Sequence, residues 1–188
     1  MKHGLSYILG LIALGVLGLA VSPAGADTIA AGPYYATPSW DQTLPASTRF
    51  IVLSNFSNAA VLDRETGLVW EKQPSAAVQT IWTAAGHYCI TRAVGGRIGW
   101  RAPTVIEISS LFEGINNVFG QLVTVSLPAG HPFVIDPSVT SVWTATQALV
   151  LPGDSWSFNL QIGPDPRNQS TFLRNWCVRS ASPGVDAL

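Results

Sequence analysis

The sequence is poor in charge, histidine and cysteine, and each shortage closes off a class of function. Asp, Glu, Lys and Arg together make up 11% of 188 residues, and there are three histidines. Two of these, His87 and His131, lie beyond the N-terminal leader discussed below, and neither has a carboxylate at ligand spacing, which argues against a zinc centre. No Gly-x-Ser-x-Gly run is present to build a nucleophile elbow. Gly95-Gly96 is too short for a phosphate loop and is not followed by Gly-Lys-Ser/Thr. The cations are few and scattered, so there is no electrostatic case for nucleic acid or an anionic membrane. Together these shortages predict a chain that is not an enzyme and has no catalytic residues, metal or cofactor.

What is abundant is apolar. Lys2 and His3 precede an apolar run from Leu5 to Val21, and Ala24-Gly25-Ala26 stands ahead of Asp27. A basic start, an apolar stretch and a small-residue site predict a signal peptide over residues 1–26. Gly10, Gly15 and Gly18 interrupt the run and no Lys/Arg cluster follows it, which disfavours a membrane anchor. The expected product is secreted, periplasmic or displayed at the cell surface, and not an integral membrane protein after cleavage. It would be one domain of about 160 residues, long enough for a sizeable core. Without Lys2 it carries nine basic and eleven acidic residues, a net charge of about −2.

Cys89 and Cys177 are the only cysteines. An even count in an exported chain predicts a disulfide between the first helix and the last strand, the alternative being two buried thiols. Closing so long a loop is worth about 4 kcal/mol on the chain-entropy model.

Residues 27–58 read as an irregular arm, with Tyr34, Tyr35 and Trp40, leading into a first strand at 50–53. A second strand at 60–62, a turn over Asp63-Arg-Glu-Thr-Gly67 and a return strand at 68–72 form a hairpin. Asp63 and Glu65 on that turn are expected to be solvated. Ile81, Trp82, Ala85, Tyr88 and Cys89 recur at helical spacing, with Gly95-Gly96 as the exit. His87 falls on the outer side of that helix. Thr104 and Glu107, behind Pro103, have the spacing of a capping box. They predict a second helix whose stripe is Ile108, Leu111, Phe112 and Ile115. Further strands are expected at 122–126, 133–135, 141–146, 155–162 and 172–179, with "GPDPRNQS" as a turn. Strands, two helices, then strands define an α+β fold. Trp70, Trp82, Trp100, Trp143 and Trp176 occupy element positions and are expected in the core. Arg101 is expected to donate to carbonyls at the corner that Pro103 and Thr104 build.

In order along the chain stand "LDRETGLVWEK", "WTAAGHYC", "GGRIGWRAPTVIEISSL", "VWTAT", "WSFNLQIG" and "NWCVR". This ordered set resembles the Lcl C-terminal domain family, also called DUF1566, over residues 59–180, leaving 181–188 as a tail. The resemblance implies a C-type lectin-like domain with two helices packed on antiparallel strands and one disulfide. It also implies an adhesin-like binding role toward a glycan or a surface protein. The usual Trp-Arg-Leu-Pro stands here as Trp100-Arg101-Ala102-Pro103, and Trp-Ser-Ser-Thr as Trp143-Thr144-Ala145-Thr146. The scattered cations do not support carrying over a preference for sulfated glycans. The loop signatures with which lectin-like domains hold calcium are missing, so Asp165, Arg167 and Asn168 are the candidate polar site without a metal. Trp40 is a further candidate, docking either the arm or a partner. Two other readings follow: a structural subunit of an exported assembly, with homo-oligomer contacts, and an enzyme resembling the formylglycine-generating group, whose chemistry requires a cysteine pair.

Overall fold

The computed structural model describes residues 28–30, 40–114, 124–149 and 151–180. The leader, Tyr34 and Tyr35, Ile115, the first part of the strand expected at 122–126, and the tail lie outside the described residues.

Three short apolar runs make the centre. Phe50–Leu53 (β2), Ala60–Asp63 (β3) and Leu68–Glu71 (β4) are buried at every position. Strands that read as continuous apolar runs are covered on both faces, and so they are here. One face carries Phe50, Val52, Val61, Leu68 and Trp70 into the larger core; the other carries Ile51, Leu53, Leu62 and Val69 into a second cluster with Cys89 and Trp100. The strands pair antiparallel in sequence order, Asp63 facing Leu68 across the expected turn, where Gly67 has φ 66°. Thr28–Ala30 (β1) adds parallel to β2, and Val178–Ser180 (β8) adds antiparallel to β4, giving the order β1-β2-β3-β4-β8.

On one face lies the helix Trp82–Ile90 (α2), which buries Ala85 and Cys89 and leaves His87 exposed. Cys89 is bonded to Cys177, with Cα atoms 5.5 Å apart. The expected pairing is therefore present, between α2 and the residue that leads into β8. Past α2 the chain reverses at Val94-Gly95-Gly96-Arg97, with reciprocal backbone hydrogen bonds of 3.0 Å and consecutive φ of 57° and 75°. Two adjacent positive φ values define a tight turn that favours glycine.

On the other face sits a second antiparallel sheet of Ser141–Gln147 (β5), Asp154–Asn159 (β6) and Gly163–Asn168 (β7). Its Val142 and Phe158 enter the larger core, where Phe133 stacks edge-on against both Phe50 and Trp176. The result is an α+β fold of two sheets and one disulfide.

Several expectations need correction. A short helix, Ala46–Arg49 (α1), stands in the expected arm. The second helix, Val105–Ser109 (α3), has its capping box but only five residues. Ser109 and Ser110 hydroxyls donate to the carbonyls of Val105 and Glu107, and Leu111 and Phe112 close with i to i+3 bonds. Such side-chain donation competes with the helix ladder, so Leu111 and Phe112 reach the core from a turn. Residues 133–135 form no strand, between Pro132 and Pro137; Val134 makes one bond to Lys72 while Phe133 plugs the core. "GPDPRN" is not a turn but β7 itself. Its register places Pro164 and Pro166 opposite Phe158 and Trp156. Prolines two apart on an edge strand turn their donor-less nitrogens to the open side, while Gly163, Asp165 and Arg167 complete the ladder. Strand 155–162 accordingly ends at Asn159, and 172–179 shrinks to β8 plus isolated bridges at Leu173 and Arg174.

Candidate functional site

Three arginine–carboxylate pairs organise the polar interior, and they differ in what they leave open. Arg49, at the end of α1, donates Nε and Nη2 to the two oxygens of Asp63 at 2.8 Å and Nη2 also to the Ser110 carbonyl. Asp63 further accepts from the Glu65 amide and the Thr66 hydroxyl. Both side chains are buried. Glu65 is buried too, accepting from the Leu44 amide at 2.6 Å. The solvated turn expected at Asp63 and Glu65 is therefore wrong: its carboxylates satisfy the donors of the 43–49 segment that folds over it.

Arg101 grips Glu107 with both Nη groups, and Glu107 in turn accepts from the Thr104 amide. Burial opposes the charge on Glu107, but Arg101 and the Thr104 donors outweigh it and hold the carboxyl below the usual range. Arg101 also donates to the Ala102 carbonyl. It acts as a brace on the helix cap that Pro103 leads into.

The third pair is open. Glu71, at the end of β4, is fixed by its backbone: its carbonyl accepts from Trp176 Nε1 at 2.8 Å and its amide donates to the Cys177 carbonyl. Its carboxylate accepts from the Cys177 amide at 3.0 Å and from Arg92 Nε at 2.9 Å. Burial pushes Glu71 above the ordinary carboxylate value, against the lowering effects of the Cys177 amide and Arg92. Burial opposes the charge on Arg92 as well, but the Glu71 carboxylate outweighs it and raises the guanidinium further. The guanidinium lies over the Tyr88 ring, 5.4 Å from its centroid. Its side chain is 40% exposed, and among the described residues its Nη groups make no hydrogen bond.

Arg92 lines a cleft of about 480 Å³ together with Glu71, Asn58, Gln73, Ser75 and Val134, among others. That volume suits a small ligand. Asn58 on its wall and Ser57 just before it have φ of 59° and 52°, a left-handed conformation unusual for two successive non-glycine residues. Gly95 fixes that wall: a Cβ there would fall 2.1 Å from the Phe56 carbonyl oxygen. Both sides of the floor hang from the disulfide, because Arg92 donates its amide to Cys89 and Glu71 bonds Cys177 in both directions. The cleft escapes a linear reading because Asn58, Glu71 and Arg92 are unremarkable singly; adjacent tight-turn glycines beyond a cysteine helix are its only sequence signal.

The residues singled out in the sequence are not brought into this cleft. Arg167 pairs with Asp165 along β7, Nε to Oδ2 at 2.6 Å, and Asn168 Oδ1 accepts from the Ser170 amide and hydroxyl. Trp40 is 42% exposed, with φ 61° and its amide on the Glu65 carbonyl. Trp70, Trp100, Trp143 and Trp176 are buried. Trp82 is half-buried, with Nε1 on the Thr144 carbonyl. Among the described residues no three His, Cys, Asp or Glu side chains gather in metal-binding geometry, and no helix is long and apolar enough to cross a membrane.

A model of the Lcl C-terminal domain matches residues 59–179. The chain belongs to the Lcl C-terminal domain family. The matched span takes in both cysteines, Glu71 and Arg92 with the rest of the cleft lining except Asn58, and both β-sheets apart from β1 and β2 and the last residue of β8. No curated protein matches the chain.

Proposed function

We propose that this chain is an exported, non-catalytic binding module with a C-type lectin-like arrangement, holding a glycan or a surface protein at the Glu71–Arg92 cleft. The supporting observation is the state of Arg92. It is oriented by a buried carboxylate on one edge and an aromatic ring beneath, it lines an open cleft, and its Nη donors have no hydrogen-bond partner among the described residues. Pre-positioned donors at a concave surface are what recognition needs. The other strongly paired groups brace the fold: Asp63 holds Arg49, and Glu107 holds Arg101. The formylglycine-type reading requires cysteine thiols, and Cys89 and Cys177 are bonded to each other. Probing a broad array of glycans and surface-protein peptides with the exported chain tests the proposal. Retention of at least one ligand class, lost on substituting Arg92, supports it; an array without retained ligands rejects it.

One observation favours a structural subunit instead. Leu149 and Leu151 at the β5–β6 hairpin and Phe172 beyond β7 are exposed, at 88%, 43% and 63%. Light scattering of the exported chain tests this: a stable oligomer that Leu149→Ser dissociates would favour assembly over binding.

A further inference from the structure

We infer that the cleft takes a sugar acid, its carboxylate on the Nη edge of Arg92 and its hydroxyls on the polar rim; this rests on the binding-module reading above. The ligand chemistry follows from what the cleft leaves unmatched. Arg92 Nε is already spent on Glu71, which orients the guanidinium, and its two Nη groups have no hydrogen-bond partner among the described residues. A planar fork of parallel N–H donors matches a carboxylate bidentately. Glu71 is buried behind the guanidinium, so its charge is engaged on the inner side of Arg92 and a second carboxylate meets the outer side. Asn58 stands on the wall in left-handed backbone conformation, and its side chain has no hydrogen-bond partner among the described residues. Non-glycine strain of that kind persists where the surroundings enforce it and gathers at ligand sites. Here Gly95 and the 54–57 turn enforce it. An amide beside a guanidinium supplies a donor and an acceptor for hydroxyls next to a carboxylate. Ala59 and Val134 complete the wall with apolar surface for the face of a sugar ring.

Calorimetric titration of the exported chain tests this. The probes are free glucuronate and galacturonate, an oligosaccharide ending in glucuronate, and glucose and galactose as neutral counterparts. The acids are expected to bind at least tenfold more tightly than the matched neutral sugars. Tighter binding of the oligosaccharide would assign the ligand to a glycan end, and equal binding to the free acid. Arg92→Gln is expected to weaken acid binding at least tenfold, whereas Arg167→Gln on β7 leaves it unchanged. Asn58→Gly keeps the left-handed turn and removes the amide; two- to fivefold weakening is expected, and it carries the test if the Arg92 variant does not fold. Equal binding of neutral and acidic sugars, unchanged affinity in both cleft variants, or no binding of either acid overturns the inference. In the first two of these outcomes the chain still binds a ligand, so the binding-module reading survives; that reading falls only if the broad array is also empty.

Discussion

Arg49 and Arg92 each face a carboxylate from a neighbouring strand, and the two pairs end differently. Arg49 and Asp63 are closed on all sides, with Ser110, Glu65 and Thr66 taking the remaining hydrogen bonds. Among the described residues Arg92 and Glu71 are closed only on the inner side, where Cys177 completes the carboxylate, and Arg92 lines a cleft. The same chemical pair is a bolt in one place and a presented group in the other. What separates them is the second layer: α1 and the 43–45 segment cover the first, while the left-handed turn at Ser57-Asn58 holds the wall of the second apart.

The contrast can be broken at several points. Asp63→Ala leaves a buried guanidinium without its counter-charge, and urea denaturation should show a loss of about 3–5 kcal/mol. Ligand binding per folded molecule should not change. Replacing Cys89 and Cys177 together by serine should cost about 4 kcal/mol on the chain-entropy model. Unlike Asp63→Ala, it should also weaken ligand retention, because both partners of the open pair are tied to the bridge. Gly95→Ala drives a methyl into the Phe56 carbonyl at a positive φ; a loss of about 1–3 kcal/mol is expected in thermal unfolding, again with weaker retention.

A pH series sharpens the comparison further. Because burial holds the Glu71 carboxyl above its ordinary value of 4.5, the folded state keeps a proton that the unfolded state has released. Its contribution to stability is therefore greatest below pH 4.5 and declines as pH rises toward the folded value. Glu107 has the opposite sign: held low, it stabilises above 4.5 and is lost as pH falls through its folded value. Glu71→Gln should thus gain on the parent as pH rises through that window, and Glu107→Gln should fall behind as pH rises toward 4.5, both measured by urea midpoints. The smallest effect is expected at Arg167→Ala, whose exposed pair with Asp165 should be worth less than about 0.5 kcal/mol.

Local chemistry was legible in the sequence where a few adjacent residues decide the outcome. Thr104 and Glu107 form their capping box, Gly67 closes the first hairpin, and the two cysteines pair. What was not legible depends on residues far apart. Pro164 and Pro166 read as turn residues until a partner strand gives them an open edge to face. Asp63 and Glu65 read as solvated until Arg49 and Leu44 fold over them. The cleft is the extreme case: Asn58, Glu71 and Arg92 meet only because the bridge and Trp176 draw β4, the end of α2 and the final strand together. Trp156 stays half-buried beside Ile106 and Pro164, although Phe158, two residues on along the same strand, enters the core.

The most direct measurement is a map of backbone amide NMR shifts on the chain, titrated with the tightest ligand retained from the array. The expected result is a cluster of shifted amides at Asn58, at Lys72, Gln73 and Ser75, and at Arg92, with β7 undisturbed. Shifts gathered instead at Asp165, Arg167 and Asn168 or at the β5–β6 hairpin, with Arg92 unmoved, would contradict the assignment of the cleft as the binding site.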